Sequence, residues 1–122
     1  NGAGGNNILT GGTGKDYFQF KTADHITGEA IDTILDYNVI DDTIKLENNI
    51  FSVFSAMNIP DKIPVDQFVI GTQALDTNDF IIYNTATGAV FYDADGNGAG
   101  NAVQFACLAA GLALTNWDFH AI

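Results

Sequence analysis

The chain has 122 residues and is 47% hydrophobic, which predicts one globular domain large enough to bury a core. Fifteen acidic residues stand against four basic ones, and the formal net charge of −11 excludes nucleic acid as the expected partner, because such a field repels phosphate backbones. No apolar stretch is long enough to span a bilayer, and residues 1–14 lack the basic and apolar blocks of a signal peptide.

The single cysteine, Cys107, lies in an apolar run and is expected to be a buried thiol, so no disulfide can form within the chain. A secreted domain without disulfides needs another source of stability, and a bound metal ion is a common one. An acidic chain of this kind therefore favours cation binding, provided that its acids cluster with glycine.

The first nineteen residues contain an internal repeat. Residues 2–10 read Gly-Ala-Gly-Gly-Asn-Asn-Ile-Leu-Thr and residues 11–19 read Gly-Gly-Thr-Gly-Lys-Asp-Tyr-Phe-Gln, and the two align at a period of nine. The second copy matches the pattern G-G-x-G-x-D-x-U-x throughout, whereas the first has Ala3 for the second glycine and Asn7 for the aspartate. The chain opens in the middle of this pattern, from which we expect it to be a fragment of a longer protein.

This repeat has the residue types that a calcium site needs. Calcium binds about six to eight oxygen atoms from carboxylates and carbonyls. Gly12 and Gly14 permit a tight turn with positive φ that brings backbone carbonyls toward one point, and Asp16 adds negative charge there. We therefore predict Gly12, Gly14 and Asp16 as Ca²⁺ ligands, with Asn7 in the equivalent place of the first turn. The alternative is an ordinary glycine-rich loop.

The rest of the chain is predicted to form short strands rich in β-branched and aromatic residues. The one helix expected is a short one within residues 48–57, where Ile50, Phe51 and Phe54 fall on the same face. The predicted fold class is therefore all-β. The strands are predicted at Tyr17–Phe20, Ile31–Tyr37, Thr43–Leu46, Gln67–Ile70, Phe80–Tyr83, Ala89–Tyr92 and Ala102–Leu108.

A second acidic loop begins at Asp93. The run Asp93–Gly98 has oxygen-bearing side chains at its first, third and fifth positions and glycine at its sixth, as in the first half of an EF-hand loop. Asp93, Asp95 and Asn97 are therefore predicted as calcium ligands. The loop departs from an EF-hand at its twelfth position, where Gln104 replaces the bidentate glutamate. The alternative is a hairpin turn rich in glycine, aspartate and asparagine.

These segments resemble parts of RTX proteins. The nonapeptide is the calcium-binding repeat of that family, and segments 17–46 and 81–106 resemble the region after the last repeat in serralysin-type members. The chain is thus similar to the C-terminal region of an RTX, or haemolysin-type, protein secreted by the type I pathway. The resemblance implies a single domain, with a short parallel β-roll in residues 1–19 that continues into a mostly antiparallel, β-sandwich-like cap over residues 20–122.

The roll geometry of that family implies how the turns stack. Each nonapeptide forms half a coil, so turns about eighteen residues apart share a calcium ion. The turn at residues 11–16 would then stack on residues 29–34. This makes Asp32 the predicted residue that closes the site, with Asp36 behind it, and Asp24 would serve the first turn in the same way.

No catalytic chemistry is predicted for the chain. Its two histidines and one cysteine are too scattered for a zinc site, and it has no nucleophile elbow or phosphate-binding loop. His25 is expected to be an exposed loop residue. A small hydrolase would need a pocket with converging titratable groups, so any catalytic activity is expected in a domain upstream.

The sequence therefore predicts a calcium-binding folding module of a larger extracellular bacterial protein, with calcium and the type I secretion machinery as partners. Residues 114–122 are expected to belong to the secretion signal, because their Asp-Phe pair resembles the ending of many RTX chains. The structural alternative is that Trp117, Phe119 and Ile122 form a last edge strand. The alternative function is a carbohydrate- or host-protein-binding module of an RTX adhesin, which an exposed Trp117 would favour.

Overall fold

The described part of the chain is built from β-strands and short 3-10 turns, without an α-helix. The all-β prediction is therefore confirmed. No helix in this part is long and apolar enough to cross a membrane. The computed structural model describes residues 6–21, 25–27, 30–55, 57, 59, 61–71, 79–94 and 102–122.

Ten strands in these residues form two sheets. In chain order they are β1 (Ile8–Leu9), β2 (Tyr17–Phe20), β3 (Asp32–Ile34), β4 (Thr43–Leu46), β5 (Asp61–Lys62), β6 (Phe68–Ile70), β7 (Ile81–Tyr83), β8 (Ala89–Tyr92), β9 (Val103–Cys107) and β10 (Phe119–Ala121). The six-stranded sheet has the order β1-β3-β9-β8-β7-β6. The four-stranded sheet has the order β2-β4-β10-β5.

The first four strands alternate between the two sheets and pair in parallel. Ile8 of β1 lies opposite Thr33 of β3, and Tyr17 of β2 lies opposite Thr43 of β4. Hydrogen bonds between successive turns likewise join residues 25 or 26 apart, so one circuit of the chain is longer than the expected eighteen residues. The extra length lies in the connection from β2 to β3, residues 21–31. Because of this longer circuit, Asp36 and Asp42 lie over the turn that contains Asp16.

The later strands join the same two sheets. β9 pairs in parallel with β3, and β10 pairs in parallel with β4. β6 also pairs in parallel with β7, and antiparallel pairing occurs only between β7 and β8, between β8 and β9, and between β10 and β5 among the described strands. The sheets are therefore mixed, and the expectation of a mostly antiparallel cap is wrong. The two halves of the chain therefore contribute strands to both sheets.

The core lies between the sheets and follows from the alternation of residues along each strand. In β2 and β4 every second side chain is buried, as the two-residue period of a strand requires. Phe20 contacts Phe105 edge to face with ring centroids 5.1 Å apart, and Phe51 contacts Phe105 at 5.2 Å. Such tilted contacts add to the apolar area that these rings remove from water.

Two expected local features differ in the structure. The short helix reduces to one 3-10 turn, Ser52–Phe54, although Phe51 and Phe54 are buried as their spacing predicted. The last strand, β10, lies between β4 and β5, so it is an interior strand and not an edge strand. Trp117 precedes it in the 3-10 turn Asn116–Asp118.

Candidate functional site

The turn that connects β1 to β2 stacks on the turn that connects β3 to β4. Asp36 in the second turn accepts hydrogen bonds from the backbone N–H groups of Gly11 and Gly12, both at 2.8 Å. These two N–H groups favour the charged carboxylate and hold the pKa of Asp36 below its ordinary value. Asp36 therefore fixes the glycine turn from its neighbouring coil.

Asp16 and Asp42 meet at the other end of the same two turns. The backbone N–H of Asp16 donates to Asp42 Oδ1 at 3.0 Å, and the N–H of Asn38 donates to Asp42 Oδ2 at 2.9 Å. The Asp16 side chain has no such support, because its Oδ2 atom is buried without a hydrogen-bond partner. Burial, followed by the charges of Asp42 and Asp36, raises the pKa of Asp16.

Each glycine of the turn has a separate structural role. A Cβ atom at Gly11 would lie 2.5 Å from Asp16 Oδ2, so only glycine leaves room for that carboxylate. Gly12 and Gly14 have φ of 82° and 85°, which side chains other than glycine rarely adopt. The pattern of glycines and Asp16 thus forms one compact turn, and three of the predicted ligands lie within it.

The chemistry of this turn fits a hard cation. Asp16 supplies an unpartnered carboxylate oxygen, and a glycine turn exposes backbone carbonyls of the kind that calcium binds. Among the described residues, no group of three or more histidine, cysteine, aspartate or glutamate side chains is placed to hold a metal ion. Calcium bound here would therefore take a large share of its ligands from backbone carbonyls and water.

Asp32 was predicted to close the site at the Asp16 turn, but the structure places it elsewhere. The longer circuit sets Asp32 beside Asn7, whose backbone N–H and side-chain Nδ2 donate to Asp32 Oδ1 at 3.0 and 3.1 Å. Asp32 Oδ2 lies 2.9 Å from His25 Nε2. Asp36 and Asp42 occupy the positions over the Asp16 turn instead. Asn7 and Asp32, both predicted as ligands, hydrogen-bond to each other.

His25 is buried, which corrects the expectation of an exposed loop residue. His25 and Asp32 both have 0% of their surface exposed, and the imidazole packs edge to face against Phe20 at 4.9 Å. The sequence carried one weak signal for Asp32: the acids at 32, 36 and 42 lie 25, 25 and 26 residues after residues 7, 11 and 16. Without the register, that signal could not be distinguished from chance.

The second acidic loop is described only at its start. Asp93 follows β8 and is buried, and its backbone N–H donates to the Phe80 carbonyl at 2.8 Å. Asp79, next to Phe80, is buried to the same extent and was not singled out by the sequence. Asp95 and Asn97 lie outside the described residues, as does Asp24. Their predicted roles stay predictions.

The segment before β10 is joined to the Asp42 turn. Tyr37 donates its hydroxyl hydrogen to Asp118 Oδ1 at 2.8 Å, and its oxygen lies 2.9 Å from the Asp42 carbonyl. The N–H of Thr115 donates to Asp118 Oδ2 at 2.8 Å, as part of a capping box. Burial is the main cause that raises the pKa of Asp118. Trp117, beside it, remains 63% exposed.

Comparison of the chain with protein-family models, curated proteins and solved structures gives no match. The resemblance to RTX proteins thus depends on the repeat pattern and on the segments that follow it. The geometry of the turns provides a separate line of argument about function.

Proposed function

We propose that this chain is a calcium-binding folding module of a larger extracellular bacterial protein, with a type I secretion signal near residues 114–122. The observation that carries the calcium proposal is the buried, unpartnered Oδ2 atom of Asp16, next to Asp42 and Asp36. A proton or a cation would stabilise a carboxylate oxygen that has no donor and lies beside two further carboxylates.

Electrostatics gives the direction of the calcium effect. Without a cation, burial and then the charges of Asp42 and Asp36 oppose the ionisation of Asp16, and a net charge of −11 adds to the repulsion. A bound Ca²⁺ removes this cost and stabilises the folded state by mass action. Extracellular calcium modules bind with Kd on the order of 10⁻⁴–10⁻³ M.

The residues of the turn divide into two roles in this proposal. Asp16 is the carboxylate ligand, and the backbone around Gly12 and Gly14 supplies carbonyl oxygens. Asp36 and Asp42 position the turn, because their oxygens already accept backbone N–H groups. Asp93, with Asp95 and Asn97, remains the candidate for a second calcium loop.

A matched pair of glycine substitutions tests the calcium site. Gly11→Ala places a methyl group against the Asp16 carboxylate, whereas Gly111→Ala strains the backbone at a φ of 76° outside the turn and meets no atom within 4 Å. Both should lower the melting temperature in excess chelator. In millimolar calcium, Gly11→Ala should lose most of the stabilisation that the unaltered chain gains, and Gly111→Ala should keep it. Identical melting of the unaltered chain with and without calcium would contradict the proposal.

The secretion signal requires a different experiment, because Phe119 and Ala121 are fully buried in the four-stranded sheet. Deleting residues 114–122 removes β10, so it would disturb folding as well as export. A passenger protein that carries only residues 102–122 separates the two effects. Export of this fusion by a type I-competent host supports the signal, and its retention in the cell contradicts it.

A further inference from the structure

A groove opens at one end of the four-stranded sheet, close to the turn that contains Asp16. It has a volume of about 380 Å³, within the range of small-ligand sites. Three segments form its walls, since the N-terminal ends of β2, β4 and β10 are adjacent in the sheet. The lining residues that bear on binding are Lys15, Tyr17, Asp41, Asp42, Trp117 and Asp118.

Two exposed aromatic side chains flank this groove. Tyr17 is 56% exposed and Trp117 is 63% exposed. They belong to β2 and to the turn before β10, which are separated by β4, so two strand spacings of about 5 Å each lie between their segments. Aromatic side chains left in water at this separation provide two apolar contact surfaces for one elongated ligand.

A lysine covers one face of each ring. Lys45 Nζ lies 4.0 Å from the centre of the Tyr17 ring, and Lys62 Nζ lies 4.2 Å from the centre of the Trp117 ring. Neither lysine lines the groove, so a ligand in the groove meets the ring surfaces that the lysines leave uncovered.

The polar groups of the groove set its charge preference. Asp42 and Asp118 are buried and bonded to the protein, whereas Lys15 and Asp41 make no hydrogen bond or ion pair to any described residue. Within the described part of the chain, the Asp41 carboxylate and the Lys15 ammonium are thus available as an acceptor and a donor in the groove that the two rings flank. With three carboxylates against one ammonium in the lining and a net charge of −11, an anionic ligand is disfavoured.

We propose that this groove binds a neutral oligosaccharide. A pyranose ring has an apolar C–H face that packs on Trp117 and Tyr17, and a rim of hydroxyl groups that bond to Asp41 and Lys15. This assignment does not depend on calcium binding, and the test below is carried out at fixed millimolar calcium. The sugar-binding experiment can therefore be interpreted even if the calcium proposal fails.

Trp117 is the chain's only tryptophan, so the fluorescence reports on one known position. Trp117 also borders a second pocket with Lys62 and Ile63, so the Tyr17 and Asp41 variants below are needed to assign a response to this groove. The probes are neutral glucose-, galactose- and mannose-based oligosaccharides, an oligomer of uronic acid and an oligolysine. At least one neutral oligosaccharide should change the emission saturably at millimolar concentration, and the charged probes should not. The assignment would be overturned if none of the three neutral series changed the emission. It would also be overturned if only the uronate or the oligolysine gave a saturable response.

Substitutions then tie binding to the named side chains. Tyr17→Ala and Asp41→Asn should each weaken binding by about tenfold, the equivalent of one lost contact of about 1.4 kcal/mol. Trp117→Ala, followed by calorimetry, should abolish it. Ile70→Ala is the matched control, because Ile70 is also exposed but belongs to β6 at the far edge of the other sheet. Unchanged affinity in the Tyr17, Asp41 and Trp117 variants would remove the groove as the site, and unchanged melting temperatures would show that each variant is folded.

Discussion

Asp32 and Asp16 lie on opposite sides of the same parallel coil, and their carboxylates have opposite surroundings. Asp32 is fully buried and meets three polar groups, which come from Asn7 and His25. Asp16 has one oxygen without any partner and two further carboxylates nearby. One side of the coil is closed by the protein's own hydrogen bonds, whereas on the other side the Oδ2 atom of Asp16 has no hydrogen-bond partner.

This difference shows that glycine determines which carboxylate stays open. At the Asp16 turn, glycines leave space and allow positive φ, so the backbone curves around the carboxylate. At the Asp32 side, the bulkier Asn7 and His25 fill that space with donor groups. An acidic residue in a repeat is therefore a candidate ligand only when its neighbours are too small to bond to it.

The largest effect is expected on the closed side. Asp32→Ala removes the carboxylate that His25 and Asn7 contact, and breaking a buried pair such as His25–Asp32 costs about 3 kcal/mol. The loss should be the same in chelator and in millimolar calcium, which urea unfolding can measure in both conditions. A loss that appears only with calcium would mean that Asp32 belongs to the metal site.

A smaller effect is expected at the hydroxyl that joins the two turns. Tyr37→Phe removes the donor to Asp118 and should lower the free energy of unfolding by about 2 kcal/mol, because the bond involves a buried carboxylate. The apparent calcium affinity should also fall, since the same hydroxyl lies against the Asp42 carbonyl. Unfolding curves at several calcium concentrations measure both quantities. If Tyr37→Phe were as stable as the unaltered chain, the hydroxyl would not be an important link between Asp118 and the Asp42 turn.

The open side should respond to calcium itself. At a calcium concentration ten times Kd, the chain should gain about 1.4 kcal/mol of stability, and Asp16→Ala should lose this gain. Asp61→Ala is the control, because Asp61 is exposed on β5, at the opposite edge of the sheet from β2. Equal calcium responses in the two variants would remove Asp16 from the site.

The smallest effect concerns pH in the absence of calcium. The pKa of Asp16 is raised in the folded state, so its contribution favours folding below the unfolded pKa of about 3.9 and is lost as pH rises through the folded value. Asp36 has the opposite sign, since its pKa is lowered and its contribution is lost as pH falls through the folded value. Asp16→Asn should therefore stabilise the calcium-free chain at neutral pH and destabilise it once calcium is bound. Thermal melting at pH 3 and pH 7, with chelator or calcium, checks this reversal.

Local pattern in the sequence predicted the elements better than their arrangement. The bounds predicted for β2, β4 and β8 coincide with the observed ones, because alternation and turn residues are local properties. The circuit length was not predictable in the same way, since residues 21–31 carry no periodic signal. The glycine turn around Asp16 was therefore visible in the sequence, whereas the approach of Asp36 and Asp42 depended on the register.

The parallel pairing of β4 with β10 has a consequence for the order in which the molecule folds. Every residue from 47 to 118 must be synthesised before β10 can take its place beside β4. Until then, one edge of β4 has unpaired backbone groups, and the buried faces of Ile44 and Leu46 lack the cover that Phe119 provides. Closing such a long loop is entropically slow compared with forming the β7–β8 hairpin. The β4–β10 pairing, like the equally long-range β3–β9 pairing of the other sheet, should therefore become protected from hydrogen exchange later than the β7–β8 hairpin.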